Sequence, residues 1–174
     1  MKTNPMKKVR IEKITLNVGA GKDEDKLKRG VMLLKKITGV DPVQTITNKR
    51  IPGWALRPGL AIGCKITLRG KPARDLLKRL LEARGNKLTV RHFDSHGNFS
   101  FGIHEYVDVP GLDYDPTIKI MGFEVAITLG RPGFHITRRK VAQRRIPKRN
   151  HIKVGEAAEF LQAEFGTQVE EAAS

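Results

Sequence analysis

The sequence is short of the residues that staple small proteins together and of those that carry out chemistry. It has one cysteine, Cys64. No disulfide can form within the chain, and a zinc site built on several thiolates is excluded. None of the five histidines, His92, His96, His104, His135 and His151, has a cysteine near it in sequence. His92 and His96 are spaced for a helical pair, but Asp94, Gly97 and Asn98 favour a turn there. No metal site and no cofactor are expected. No apolar run approaches the roughly 20 residues of a membrane helix. No basic-then-apolar segment opens the chain. A cytoplasmic protein without membrane contact is the expectation. Acids are also scarce, at 18 against 33 Lys and Arg, for a net charge of +15. Such self-repulsion calls for an acidic partner, and nucleic acid is the first candidate.

Catalytic constellations are missing as well. Asp113 and Asp115 precede Pro116 and read as turn formers. Asp94, Ser95 and His96 are adjacent in sequence, and triads are not built from adjacent residues. Cys64 sits on the apolar side of its strand and reads as core. The GAGK at 19–22 lacks both the spacing and the following Ser or Thr of a phosphate-binding loop. An enzyme is not expected.

What the chain does have is alternation. In Ala61 to Arg69, Ile62, Cys64, Ile66 and Leu68 alternate with Gly63, Lys65, Thr67 and Arg69. This is a strand with one apolar and one polar face. Val9 to Val18 repeats the pattern: Ile14, Leu16 and Val18 on one side, Lys13, Thr15 and Asn17 on the other. Two strands of this kind imply a hydrated sheet face backed by helices on the apolar side. Between the run Val43 to Asn48 and the Ala61 strand lies a loop with Lys49, Arg50, Trp54 and Arg57, stiffened by Pro and Gly. Its cations suit phosphate and its aromatic a base or sugar. Taken alone, Trp54 is expected to fold back on its own sheet.

The other elements follow from periodicity and caps. A helix from Asp23 or Asp25 to Thr38 carries Leu27, Val31, Leu34 and Thr38 at helical spacing, with Gly39 as its stop and Gly30 a mild weakness. Pro72 opens a second helix with Leu76, Leu77, Leu80 and Leu81 buried. Strands are expected over Leu88 to Phe93, along Phe99, Phe101 and Ile103, and lastly along Phe123, Val125, Ile127 and Leu129. A tight DSHGN loop spans 94–98, and a connection rich in Pro, Gly and Asp spans 106–115. Residues 138–153 hold eight Lys or Arg and no acid. Such a block is expected to be disordered alone and to bind polyanions. Beyond it the bias reverses, with Glu156, Glu159, Glu164, Glu170 and Glu171. Ala158, Leu161 and Phe165 are spaced for a short amphipathic helix. It could dock on a basic neighbour or on this chain's own basic surface. The expected class is α+β: an antiparallel sheet with helices on one face, plus a basic C-terminal extension ending in a short helix. The expected division is one RNA-binding domain over 1–137, in parts of about 9–60 and 61–137, followed by the arm and helix of 138–174.

Four motifs carry a resemblance: LNVGAGK at 16–22, ITGVDP at 37–42, TNKRIPGWALRPGLAIGCKITLRG at 47–70 and FDSHGNFSFGIHEYVDVPGLDYD at 93–115. In order and spacing the chain resembles, from about 9 to about 130, the universal 5S-rRNA-binding protein family of the large ribosomal subunit. The short N-terminus and the basic tail with an acidic end resemble its archaeal and eukaryotic branch. The resemblance implies a place in the central protuberance, joining 5S rRNA to the 23S-type rRNA. It implies that Asn17 and Thr67 contact 5S rRNA, on a face shared with Lys13, Thr15, Lys65 and Arg69. A third family contact, often Gln after the ITG motif, is Val40 here. The loop with Lys49, Arg50, Trp54 and Arg57 would face peptidyl-site tRNA. Arg138, Arg139, Lys140, Arg144, Arg145, Lys148 and Arg149 would thread along rRNA. A small-subunit head protein would be met across the intersubunit bridge through about 106–120, with neighbouring large-subunit proteins alongside. The alternatives are a general nucleic-acid chaperone or annealing factor using the same basic surface without a fixed RNA partner and, with no site to support it, an RNA-modifying enzyme.

Overall fold

The computed structural model describes residues 4–170. Glu171, part of the acidic end, lies outside the described residues, as does the start of the basic N-terminus. Residues Pro5–Lys7 form a 3-10 turn capped by the Asn4 side chain.

Strand β1, Arg10–Gly19, is the axis of the fold. It is followed by α1 (Glu24–Thr38), β2 (Val43–Ile46), β3 (Ala61–Leu68), α2 (Lys71–Ala83), β4 (Lys87–Thr89), β5 (Phe99–Ile103), β6 (Phe123–Gly130), α3 (Val154–Phe165) and β7 (Gln168–Glu170). Five strands form an antiparallel sheet in the order β2-β3-β1-β6-β5, and β4 pairs with β7 in a separate parallel ladder. The class is α+β, as expected.

Alternation decides which side of the sheet is covered. Ile14, Leu16 and Val18 of β1, Cys64 and Ile66 of β3, and Val125, Ile127 and Leu129 of β6 are buried. Helices α1 and α2 pack against that face. Asp23 caps α1 by accepting from the backbone N–H groups of Asp25 and Lys26, and Gly39 ends it in the left-handed region at φ 71°. The buried stripe of α1 is Leu27, Gly30, Leu33, Leu34 and Ile37. Val31 and Thr38, expected there, are only half-buried, so the stripe is rotated toward Gly30. Close approach explains this: a Cβ on Gly30 would stand 2.9 Å from Val18 Cγ1 and 3.2 Å from Cys64 Sγ. The residue that weakens the isolated helix lets it press onto the sheet. In α2, Ala73, Leu76, Leu77, Leu80 and Leu81 are buried, with Pro72 in the first turn.

Two expectations need correction beyond this point. The 88–93 strand is shorter: β4 ends at Thr89 and Val90–His92 is a 3-10 turn. His92 Nδ1 accepts from the Thr89 backbone N–H and closes that turn. Nor is β6 the last strand, because β7 returns to lie beside β4. That pairing joins segments far apart in sequence and has no local signal.

The basic block also takes a defined path. It leaves β6 through a 3-10 turn at Phe134–Thr137. The Arg144 N–H then donates to the Ile136 carbonyl at 3.2 Å. The path ends at Ile152, which is 1% exposed. Ile152 seats against Gly97, whose φ is +73° and where a Cβ would fall 2.8 Å from Ile152 Cγ2. Helix α3 then buries Ala157 and Leu161 in the same core as the sheet. The acidic helix therefore docks on its own chain. Arg131 of the strand end pairs with Glu156 at 2.7 Å, and Arg74 of α2 pairs with Glu164.

Candidate nucleic-acid interface

On the side of the sheet opposite α1 and α2, Lys65, Thr67, Glu124 and Ala126 are exposed. Register brings the expected residues together there. Thr15 of β1 lies opposite Thr67 of β3, and Asn17 lies opposite Lys65. The Thr15 and Thr67 hydroxyls are 3.4 Å apart. Lys65 and Thr67 are exposed, and Lys13, Thr15 and Asn17 are half-buried. Arg69 stands at the rim, just beyond β3. The face thus offers hydroxyls and one amide at its centre, with cations beside them. Hydroxyls and amides form directional bonds to bases and 2′-hydroxyls, whereas Lys and Arg meet phosphate.

Two carboxylates on this side were not among the residues singled out from the sequence. Glu12, in the β-bulge between Ile11 and Lys13, holds Arg69 at 3.5 Å and is also paired with Arg138. It links the rim of the sheet to the start of the basic arm. Glu124 of β6 accepts from Asn17 Nδ2 at 3.2 Å. The signal for Glu124 was present: it alternates with Phe123 and Val125, so it had to face away from the core. Its partnership with Asn17 was not legible, because strand order puts residues 107 apart in sequence side by side.

The loop between β2 and β3 has a tied neck and a free tip. The Thr47 N–H donates to the Leu60 carbonyl at 2.9 Å, and Ile51 and Leu56 form a small antiparallel bridge. Leu56 is buried. Pro52–Trp54 is a 3-10 turn that Ala55 leaves in the left-handed region at φ 53°. Trp54 does not fold back on the sheet: it is 69% exposed. The bridged neck and the prolines hold the tip away from the apolar face that could have received it. Lys49, Arg50 and Arg57 are exposed around it. Val40, at the position of the missing Gln, is half exposed.

Along the arm, Arg138, Lys140, Arg144, Arg145, Lys148 and Arg149 are exposed and Arg139 is half-buried. Arg139 Nε donates to the Ala142 carbonyl at 2.8 Å, so this cation is partly spent on shaping the arm. His151, which closes the arm, lies with its ring centre 4.6 Å from that of His96 in the DSHGN turn. That turn is built on Asp94, which accepts from the backbone N–H groups of His96 and Asn98 and from the Asn98 side chain, each at 2.8 Å. Partial burial opposes the charge on Asp94, but those hydrogen bonds outweigh it and hold the carboxyl below its usual range. Cys64 is fully buried, and burial pushes its thiol up to about 11, so no thiolate nucleophile exists here.

Among the described residues, this arrangement offers groups for binding, with hydroxyls, one amide and cations on one face. Among the described residues, no three His, Cys, Asp or Glu side chains gather to hold a metal ion. The comparisons with known proteins agree in kind. The model described as "Ribosomal protein L5" matches residues 4–57, and that described as "ribosomal L5P family C-terminus" matches 61–164. The large ribosomal subunit protein uL5 of Sulfurisphaera tokodaii is 46% identical over 97% of this chain and 96% of its own length. The protein of the same name from Nanoarchaeum equitans is 42% identical over 95% of this chain and 98% of its own, and that of Methanococcus maripaludis 40% over 95% and 93%. The chain belongs to the ribosomal protein L5 family. It is a structural protein of the large ribosomal subunit and not an enzyme. The two family segments meet between Arg57 and Ala61, at the neck of the β2–β3 loop where Thr47 pairs with Gly59 and Leu60. No helix among the described residues is long and apolar enough to cross a membrane.

Proposed function

We propose that this member of the L5 family binds 5S rRNA through the open sheet face and attaches it to the large rRNA in the central protuberance of the cytoplasmic ribosome. The observation that carries the reading is the convergence of Thr15, Asn17, Lys65 and Thr67 from two adjacent strands on the uncovered side of the sheet. Asn17 and Thr67 supply directional bonds, while Lys13, Lys65 and Arg69 neutralise phosphate. The exposed cations of 138–149 run along the large rRNA. Lys49, Arg50, Trp54 and Arg57 face peptidyl-site tRNA, and an exposed aromatic among cations suits stacking on a base or ribose. The 106–120 connection meets a small-subunit head protein. Buried Tyr106 fixes it there: the Asp115 N–H donates to the Tyr106 hydroxyl at 2.7 Å, while Tyr114 and Ile120 stay exposed.

The test is binding to cognate 5S rRNA against an unrelated structured RNA of equal length at two salt concentrations. Neutralising about six phosphates gives a fall in log affinity of roughly 4 to 5 per decade of salt. The expected result is that 5S rRNA wins at high salt and that Asn17→Ala with Thr67→Ala removes the preference. Equal binding of both RNAs, lost together in salt, would overturn the reading in favour of a general RNA chaperone. Deleting 138–174 is not a clean discriminator, since it removes Ile152, Ala157 and Leu161 from the core. Replacing Arg144, Arg145 and Arg149, which are exposed and make no ion pair among the described residues, by glutamine asks the same question with the fold left whole.

A further inference from the structure

One group on the open face is unexplained by phosphate binding. Glu124 is exposed near the start of β6, between β1 and β5, on a chain of net charge +15. A carboxylate repels phosphate, so on a face that meets RNA it costs affinity unless it accepts hydrogen bonds from the ligand. Among the described residues Glu124 makes no ion pair. Its side-chain partner is Asn17, whose Nδ2 donates to one carboxylate oxygen at 3.2 Å and so orients the group. On the other side, opposite Glu124, is Gly102 of β5, where an added Cβ would meet nothing within 4 Å. Two residues along β6 lies Ala126, flanked by Thr15 and Ser100. The carboxylate therefore stands at the border of a shallow floor of small side chains, open to solvent.

Base chemistry narrows what such a group can read. Guanine presents two neighbouring donors, N1–H and the N2 amino group, on its Watson–Crick edge, and a carboxylate accepts both at once. Adenine and cytosine offer one amino group beside a ring nitrogen acceptor. Uracil offers one N–H between two carbonyls. In these three an acceptor faces the carboxylate and opposes binding. RNA is read by sequence mainly where bases are unpaired and their edges free. Because the floor has no aromatic, a base here is held by its edge and not by stacking. We propose that Glu124, oriented by Asn17, reads the Watson–Crick edge of one unpaired guanine whose ring lies over Gly102, Ala126 and Ser100. The inference rests on the reading of this face as the rRNA-binding surface and adds the base that it selects.

Inosine tests it, because it is guanine without the N2 amino group. A pool of 5S rRNA with inosine placed randomly at guanines, each marked by a cleavable phosphorothioate, is bound to the full chain, and bound and free fractions are compared. One unpaired guanine is expected to tolerate inosine poorly, with depletion from the bound fraction of roughly tenfold. With Glu124→Gln the depletion at that position should shrink to about twofold or less. Gln keeps an oxygen for Asn17 but presents one acceptor beside a donor. The residue is exposed, so thermal melting should not move, and folding is checked that way. If the chain prefers 5S rRNA to unrelated RNA yet no guanine is inosine-sensitive, or sensitivity is the same in the Gln variant, guanine reading is overturned and the RNA face stands. If the chain shows no preference for 5S rRNA, the face assignment fails and the inference falls with it.

Discussion

Two segments of this protein, the loop of 47–60 and the arm of 138–153, have the same kind of composition and opposite architecture. Both are basic, contain proline and lack long regular elements. The loop is tied at its neck and by the Ile51–Leu56 bridge, with Leu56 buried, and turns its one aromatic, Trp54, outward. The arm is fastened along its length, by Glu12 to Arg138, by Ile136 to Arg144, and by Ile152 in the core. It turns its apolar anchor inward. Charge states what a segment can bind. The placement of a few apolar residues, and whether something receives them, states whether it has a shape before it binds.

The comparison breaks most visibly at the anchor. Ile152→Ala removes a fully buried side chain and should cost about 2–5 kcal/mol in urea unfolding. A loss within about 0.5 kcal/mol would mean that the arm is a tether like the loop. Next is the receiving surface. Gly97→Ala adds a Cβ against Ile152 at a left-handed residue and should cost about 2–3 kcal/mol, read in the same assay. Below these come the arm's charges. Arg144→Gln with Arg145→Gln should leave stability within about 0.5 kcal/mol while lowering the slope of log affinity against log salt by about 1.5. An unchanged slope would remove these residues from the phosphate contacts.

Acid gives a finer cut. The Lys153 backbone N–H holds Glu156 below its ordinary value of 4.5 against partial desolvation, with the Arg131 guanidinium adding to the lowering. A carboxyl lowered on folding contributes its stability fully above the unfolded value and loses it as pH falls through the folded one. Hydrogen exchange in α3 should therefore accelerate as pH falls below about 4.5, after correction for the intrinsic rate, while exchange at the tip around Trp54 shows no such step. Equal acceleration at both would mean that α3 is not held through Glu156. The smallest expected effect is that of Trp54→Ala, within about 0.5 kcal/mol in stability because the ring rests on so little. A larger loss would show that the tip is packed after all.

The sheet was legible because its signal is local. Alternation in 10–19, 61–68 and 123–130 named each strand and each buried face, and the Asp23 and Gly39 caps bounded α1. The placement of Asn17 and Thr67 on one uncovered face followed from that parity. What could not be read depends on partners distant in sequence. The stripe of α1 shifted because Gly30 meets Val18 and Cys64, a matter of helix–sheet distance. The arm took a path because Ile152 finds Gly97, and β7 exists because β4 has a free edge. Trp54 was misjudged because an aromatic alone in a loop says nothing about whether a bridged neck keeps it from the sheet.

Strand β1 is nearly the first element made and sits at the centre of the sheet, with β3 on one side and β6 on the other. A ribosome synthesising this chain must extend it to Gly130 before both edges of β1 are satisfied. The pairing of β4 with β7 waits until Glu170. Closing such distant contacts late is entropically slow and leaves strand edges open in the meantime. The chain therefore passes through an interval as a half-built sheet whose central strand has one edge open until β6 emerges. In that interval like charge on every copy, +15 over the whole chain, opposes the pairing of one open edge with the next.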